Sequence, residues 1–313
     1  MPVTLDESTE WLNFINKLAT DFGCLERPAG LIWHYTDGEA MINIIKSRSL
    51  RATQIAALND KNELRFATSL YRSAVERLQQ NYASGTEEHT FLQFVIREIS
   101  EDSEDLHGDS VAYVCCFSGH EDELTQWERY GRKGKQFNWG YAIGFDQQIV
   151  GGNQTALFKV IYDREKQEAA AERLARATLD FYLKGLSGNR LEDPVEWRRS
   201  FFEYWDGAIY PLAAAIKETH WTPENEYRVY FDGRTAVGDD YGFIQRNMML
   251  SRYAILALPK QQDGRPAPLP IRQIMTGPGN RPAFTKQNLE LLLMQQGYSG
   301  IAIRSSDINL QNP

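Results

Sequence analysis

From residue 110 onward the sequence carries seven short runs rich in β-branched and aromatic residues. They are SVAYVCCFS at 110–118, GYAIGF at 140–145, ALFKVIYD at 156–163, EYRVYFD at 226–232, YAILALP at 253–259, IRQIMTGP at 271–278 and GIAIRSS at 300–306. Several follow one another with no helix between them, and the helical stretches come in clusters. That pattern argues against the strict β-α alternation of a doubly wound parallel sheet and for an α+β fold. Two further short strands are expected ahead of them, LIWHYT at 31–36 and a second at 50–53.

Apolar side chains recur at helical spacing over 8–22, 38–47, from 63 into the 80s, across the early 90s, and over 164–186, 194–217 and 282–296. No repeat, low-complexity tract or Gly/Ser/Pro-rich linker divides the 313 residues, so a helical extension over 1–30 followed by one α+β domain over 31–313 is expected. Hydrophobic residues at 42% support a large core. Lys and Arg number 34 against 42 Asp and Glu, a net −8, so nothing draws the whole chain to phosphate backbones or anionic lipid; a nucleic-acid contact needs a local basic patch. RKGK at 132–135 is the densest basic stretch, and EDSEDLHGD at 101–109 reads as a solvated acidic loop. No run approaches the ~20 apolar residues of a membrane span. The first residues lack a secretory pattern. The three cysteines form neither a disulfide framework nor a metal-binding spacing. A cytoplasmic location is expected.

Glycine-rich phosphate loops, HExxH, CxxC and GxSxG are absent from the sequence. Cys115 and Cys116 lie in an apolar run that raises a thiol pKa, which argues against a nucleophile. Four constellations remain. His34, Tyr35 and Thr36 close the first strand, where alternation puts His34 and Thr36 on one face and Tyr35 on the other. Asn59, Asp60 and Glu63 sit at a loop-to-helix junction, where N-capping with a capping box is the favoured reading. Ser118 ends the CFS strand, and Trp127 and Tyr130, one helical turn apart, are either core rings or a platform for a planar heterocycle. In WTPENEYRVYF at 221–231, a strand from 224 puts Glu224, Glu226 and Arg228 on one face; the two carboxylates then stand ~7 Å apart, and they either form an ion-pair row or do acid and base work.

Taken in order, HYT, ND, CFS with WxxY, GYAIGF, WxxExExR, IRQIMTGP and the closing GIAIRSS resemble a domain-of-unknown-function family, number two-nine-seven-one, over about residues 31–306. The chain departs from that family in Leu58 before the Asn-Asp pair, in Lys61 after it, and in its long helical inserts. More remotely the pattern resembles the ADP-ribosyltransferase superfamily. That resemblance implies a split antiparallel or mixed β-sheet core with inserted helices, and NAD as substrate with no metal. It implies His34 on the adenosine-side ribose, Tyr35 by the nicotinamide and Ser118 on the nicotinamide ribose. Thr36, Trp127, Tyr130 and Arg228 would line the pocket, Glu226 would be the catalytic carboxylate, and Glu224 would orient the acceptor. The acceptor would be protein, nucleic acid or water, and a toxin or antiviral defence role would fit. Cleaving the nicotinamide bond passes through an oxocarbenium-like state that a carboxylate stabilises, and the leaving group departs neutral. Two rivals stand beside this. One is a magnesium-dependent nuclease using Asp60 or Glu63 with Glu224 and Glu226; the other is a non-enzymatic ligand sensor or interaction module.

Overall fold

The computed structural model describes residues 5–58, 62–99, 112–131, 140–147, 155–187, 193–205, 209–233, 241–246, 249–278 and 282–308. Asn59, Asp60, the acidic loop at 101–109 and RKGK at 132–135 lie outside the described residues.

The chain opens with α1 (Leu5–Asp21), β1 (Ile32–Thr36), α2 (Gly38–Ser47) and β2 (Ser49–Gln54). α2 starts where Asp37 accepts a hydrogen bond from Ala40 N at 2.8 Å, and it stops where Arg48 turns left-handed with φ 52°. The helical pair α3 (Asn62–Gln79) and α4 (Glu87–Glu98) leads into β3 (Ala112–Ser118), α5 (Leu124–Tyr130), β4 (Tyr141–Phe145) and β5 (Thr155–Lys159). Then come α6 (Arg164–Ser187), α7 (Pro194–Trp205), α8 (Ile209–Ala215) and a 3₁₀ turn (Thr219–Glu224). The chain finishes with β6 (Glu226–Asp232), β7 (Tyr241–Arg246), β8 (Met249–Ala257), β9 (Ile271–Thr276), α9 (Pro282–Gln295) and β10 (Ala302–Ser305).

The single helix expected over 194–217 is two, α7 and α8. β7, which had no expectation, pairs with β8 as a hairpin. A strand beginning at 224 is corrected: Glu224 ends the 3₁₀ turn, Asn225 takes a left-handed φ of 42°, and β6 begins at Glu226.

All described pairings are antiparallel except β9 with β10, so the α+β sheet is mixed and open. It divides at β3. One edge of β3 meets β1 through Trp33 opposite Ser118, and β2 through Thr53 opposite Val114. Its other edge pairs with β6 along the whole strand, and β6 carries β5. From β1 the sheet continues through β4, β9 and β10, and from β2 through β8 and β7.

Alternation along β3 and β6 feeds two cores. Ala112, Val114 and Tyr230 pack into a core with α1, α3, α4, α6, α7 and α8, while Tyr113, Cys115, Phe117, Tyr227, Val229 and Phe231 pack into a second with α2 and α9. Leu18 and Ala19 of α1 belong to the first, so the N-terminal helix is part of that core. Trp33, Tyr35, Trp127, Ala142 and Met275 form a small third cluster. No described helix is long and apolar enough to cross a membrane.

Candidate functional site

The register of β3 against β6 places Ser118 opposite Glu226 and Cys116 opposite Arg228. Directly opposed residues share a face, so Glu226 and Arg228 point to the helical side of the sheet, where the apolar pattern EYRVYFD puts charge into a buried layer. Burial of that kind requires partners. They come from three places. Glu63 projects from the first turn of α3, Lys217 from the two residues after α8, and Glu224 from the end of the 3₁₀ turn.

Lys217 Nζ stands 2.6 Å from Glu224 Oε2, 3.0 Å from Glu63 Oε1 and 3.1 Å from Glu226 Oε2. The Arg228 guanidinium reaches Glu63 Oε2 at 2.7 Å and takes Glu226 side-on, Nε to Oε1 at 3.0 Å and Nη2 to Oε2 at 2.9 Å, the two-bond geometry that arginine is shaped for. Its remaining nitrogen donates to Ala213 O at 3.3 Å. Arg129 Nη1 donates to the second oxygen of Glu224 at 3.1 Å and lies 3.9 Å over the Trp221 ring. Three carboxylates are thus met by three cations. Glu63, Glu224, Glu226, Lys217 and Arg228 are all buried, whereas the Arg129 side chain is 40% exposed.

Burial pushes the Glu226 carboxyl up, but Arg228 and Lys217 beside it outweigh that and hold it at about 2. Burial also pulls Lys217 down, and the carboxylates of Glu226, Glu63 and Glu224 overcome it and hold the amine protonated above its ordinary range. The phenols of Tyr130 and Tyr162 are pushed up by burial and by the neighbouring Glu224 and Glu226 charges, so both remain donors. Tyr162 Oη accepts the Glu226 backbone N–H at 3.0 Å. The Cys116 thiol is driven well up by burial and then by Glu226, and Cys115 by burial to about 12. Those shifts move each group away from neutrality.

His34 does not join this cluster. Trp33 is opposite Ser118, so Trp33 and Tyr35 share the Glu226 face, while His34 lies on the other side of the sheet against Phe117, ring centroids 5.6 Å apart. Its Nδ1 donates to Cys116 O at 3.0 Å, and burial lowers its pKa from 6.5, so it is a neutral ring. The expected convergence of His34 with Glu226 is therefore corrected, because one residue of strand register separates the two faces. Thr36 goes with His34 and is buried.

Tyr35 is on the Glu226 face, but its hydroxyl donates to His120 O at 2.9 Å and accepts from Glu123 N at 3.2 Å, pinning the loop after β3. Ser118 is spent in the same way, donating to Glu224 O at 2.9 Å and accepting from His120 N at 3.1 Å. Trp127 has no exposed surface; its Nε1 donates to Asp122 Oδ1 at 2.7 Å and its ring meets Tyr35 edge-on at 4.8 Å. It is core, and a stacking platform there is corrected. Tyr130 is half-buried and stands beside the carboxylates.

Glu63 carries the opposite surprise. Both its oxygens are bound to Lys217 and Arg228, so it belongs to the charged cluster rather than to a cap. Glu224 and Glu226 meet through the shared Lys217 ammonium and not as neighbours along one strand. Lys217, Arg129 and Trp221 went unnoticed as site members. Lys217 had one signal, a lysine ending the apolar run AIYPLAAAI seven residues ahead of Glu224. Among the described residues, no group of three or more His, Cys, Asp or Glu is arranged to hold a metal ion. The point on which three carboxylates converge is held by the Lys217 ammonium.

The family model described as Protein of unknown function (DUF2971) matches residues 126–229. The match covers about a third of the chain, and over that stretch the chain is similar to the family. It takes in Trp127, Arg129, Tyr130, GYAIGF, Lys217 and all of WxxExExR, so most of the charged cluster falls inside it, while HYT, CFS and Glu63 precede it. Neither the curated proteins nor the solved structures contain a match to the chain.

Proposed function

We propose that the cluster around Glu226 is an active centre that breaks the nicotinamide-ribose bond of NAD, passing ADP-ribose to an acceptor or to water. The observation that supports this reading is the charge state of the centre: Glu226 is held ionised at about 2, while Lys217 and the nearby tyrosines are held protonated. Such a centre is balanced overall, three carboxylates against three cations, but it keeps an ionised carboxylate at Glu226 and has no group moved toward neutrality to shuttle a proton, which suits a reaction needing the first and not the second. In the proposed step the C1′–N bond breaks and its electron pair stays on the pyridine nitrogen. Nicotinamide leaves neutral, and the positive charge left on the ribose faces Glu226. The acceptor oxygen then bonds C1′ and releases its proton to solvent.

Tyr35 and Ser118, not His34, share the Glu226 face, so His34 has no role in this step. Arg129 is the solvent-facing member of the network. The magnesium nuclease draws support from one observation, that Glu63 joins Glu224 and Glu226 from a different element, but it requires displacement of the Lys217 amine from their centre.

The test is purified protein with labelled NAD and cell lysate, with and without EDTA, comparing wild type with Glu226→Gln. The proposal expects nicotinamide release or label transfer that survives EDTA and is lost in the variant. No release, no transfer and no calorimetric NAD binding in a folded wild type overturns it and leaves the cluster a structural or ligand-sensing element. A nucleic-acid-cleaving activity abolished by EDTA selects the nuclease.

A further inference from the structure

A groove of about 1060 Å³ is lined by side chains of α4 and α7, with Arg72 of α3. It lies in a different part of the fold from the charged cluster, and nothing above uses it. Its lining contains four arginines, Arg72, Arg97, Arg198 and Arg199, and no acidic side chain. In a chain with eight more acids than bases, that is a concentrated local exception.

Helix periodicity produces it. Phe91, Leu92 and Val95 turn inward to the core, which leaves Gln93, Phe94 and Arg97 on the opposite stripe of α4. On α7, Trp197 and Phe201 are buried, which presents Arg198 and Arg199 to the groove. Three of the arginines have a carboxylate within reach outside the lining: Arg72 with Glu76 at 3.0 Å, Arg97 with Glu98 at 3.1 Å, and Arg198 with Glu87 at 3.5 Å. These pairs are partly or largely exposed, so they are weak and exchangeable. Arg199 is exposed and has no partner among the described residues. Phe94 is half-buried at the groove wall with the Arg97 guanidinium 5.4 Å from its ring centroid.

Guanidinium groups spaced along an open trough match a chain of phosphates, each able to take a two-bond contact. An aromatic face between them offers stacking to a base, and Gln93 supplies hydrogen bonds without sequence demand. That combination is the one by which proteins hold single strands without reading sequence. We propose that the α4–α7 groove is a binding site for single-stranded nucleic acid, held through its phosphodiester backbone by Arg97, Arg198, Arg199 and Arg72, with Phe94 stacking on a base. The proposal stands independently of the chemistry assigned to Glu226.

The experiment is fluorescence anisotropy of the full chain with a labelled oligothymidylate about 20 nucleotides long. If three or four phosphates are neutralised, affinity falls roughly 20- to 50-fold between 50 and 200 mM NaCl. Arg198→Ala with Arg199→Ala is expected to flatten that salt slope, and Phe94→Ala to weaken binding at every salt concentration. Melting temperatures within a degree or two of wild type show the variants folded; because the Arg198 side chain is only 16% exposed, Arg199→Ala alone, at an exposed position, is measured beside the pair and is expected to flatten the slope in part. Lys133→Ala with Lys135→Ala, in the other basic stretch, is expected to leave the slope unchanged. Absence of binding at 50 mM NaCl overturns the proposal, as does a slope untouched by the Arg198 and Arg199 changes or one removed by the Lys133 and Lys135 changes. Displacement by poly-glutamate or tripolyphosphate as readily as by unlabelled oligonucleotide overturns the nucleic-acid assignment and leaves a general anion site.

Discussion

Replacing Lys217 by Met isolates what the buried cluster does for the fold. The ammonium contacts three carboxylate oxygens at 2.6, 3.0 and 3.1 Å and is itself buried. Methionine fills similar volume but removes one of three cations, leaving Glu63, Glu224 and Glu226 against Arg228 and the half-exposed Arg129. Removing one partner of a buried ion network costs about 3–5 kcal/mol, because the charge left behind stays out of water without its neutraliser. An unfolding entropy of about 2.1 cal/mol/K per residue, scaled to this chain, converts that into a melting temperature roughly 5–8 °C lower. Differential scanning calorimetry or urea unfolding at pH 7 measures it. Adding Glu224→Gln to Lys217→Met restores the charge balance and is expected to recover part of the loss, so the two changes couple favourably in a double-mutant cycle. A melting temperature within 1 °C of wild type, or strictly additive changes, refutes the reasoning.

Three further outcomes follow from the same geometry. Glu226 is depressed from its ordinary 4.5 to about 2, so its stabilisation is complete above pH ~4.5 and drains away as pH falls toward 2. Urea midpoints measured from pH 6 to 3 are expected to drop, and Glu226→Gln to shallow that drop; an identical acid slope in the variant counts against it. Cys24 and Cys115, both pushed to about 12 by burial, are expected to resist a thiol reagent at pH 8 until the protein is unfolded, and rapid labelling of either in the native state contradicts the packing. A methyl group at Gly140 would collide with the carbonyl oxygen of Thr36, so Gly140→Ala is expected to lower the melting temperature by several degrees, whereas Gly30→Ala, with open space around it and no left-handed backbone, is expected to do much less.

Much of the fold was legible in the sequence, and the residues show why. α2 announces itself through the Met41, Ile44 and Ile45 stripe, and its observed bounds coincide with the expected ones. β7 was invisible because YGFIQR leaves Phe243 exposed and holds its place by pairing with β8, a non-local term no window of sequence contains. The site was half legible. WxxExExR marked Glu224, Glu226 and Arg228, but the left-handed turn at Asn225 and the 3₁₀ turn before it moved Glu224 off the strand. Glu63 was indistinguishable from a helix cap, since both readings ask for a glutamate in a first helical turn. Lys217 becomes meaningful only when α8 and β6 are brought together. His34 failed for a simpler reason: alternation along β1 fixes which residues share a face, not which of the two faces looks toward Glu226.

The account rests on a centre whose charges stay constant through the physiological range. The direct test is the rate of nicotinamide release from NAD by the purified chain, followed by chromatography from pH 5.5 to 8.5. The account predicts a rate that is measurable and nearly flat, since Glu226 near 2 and the protonated Lys217 do not titrate there. A bell-shaped profile, or a limb centred between pH 6 and 8, contradicts it by showing that a proton-exchanging group does the work.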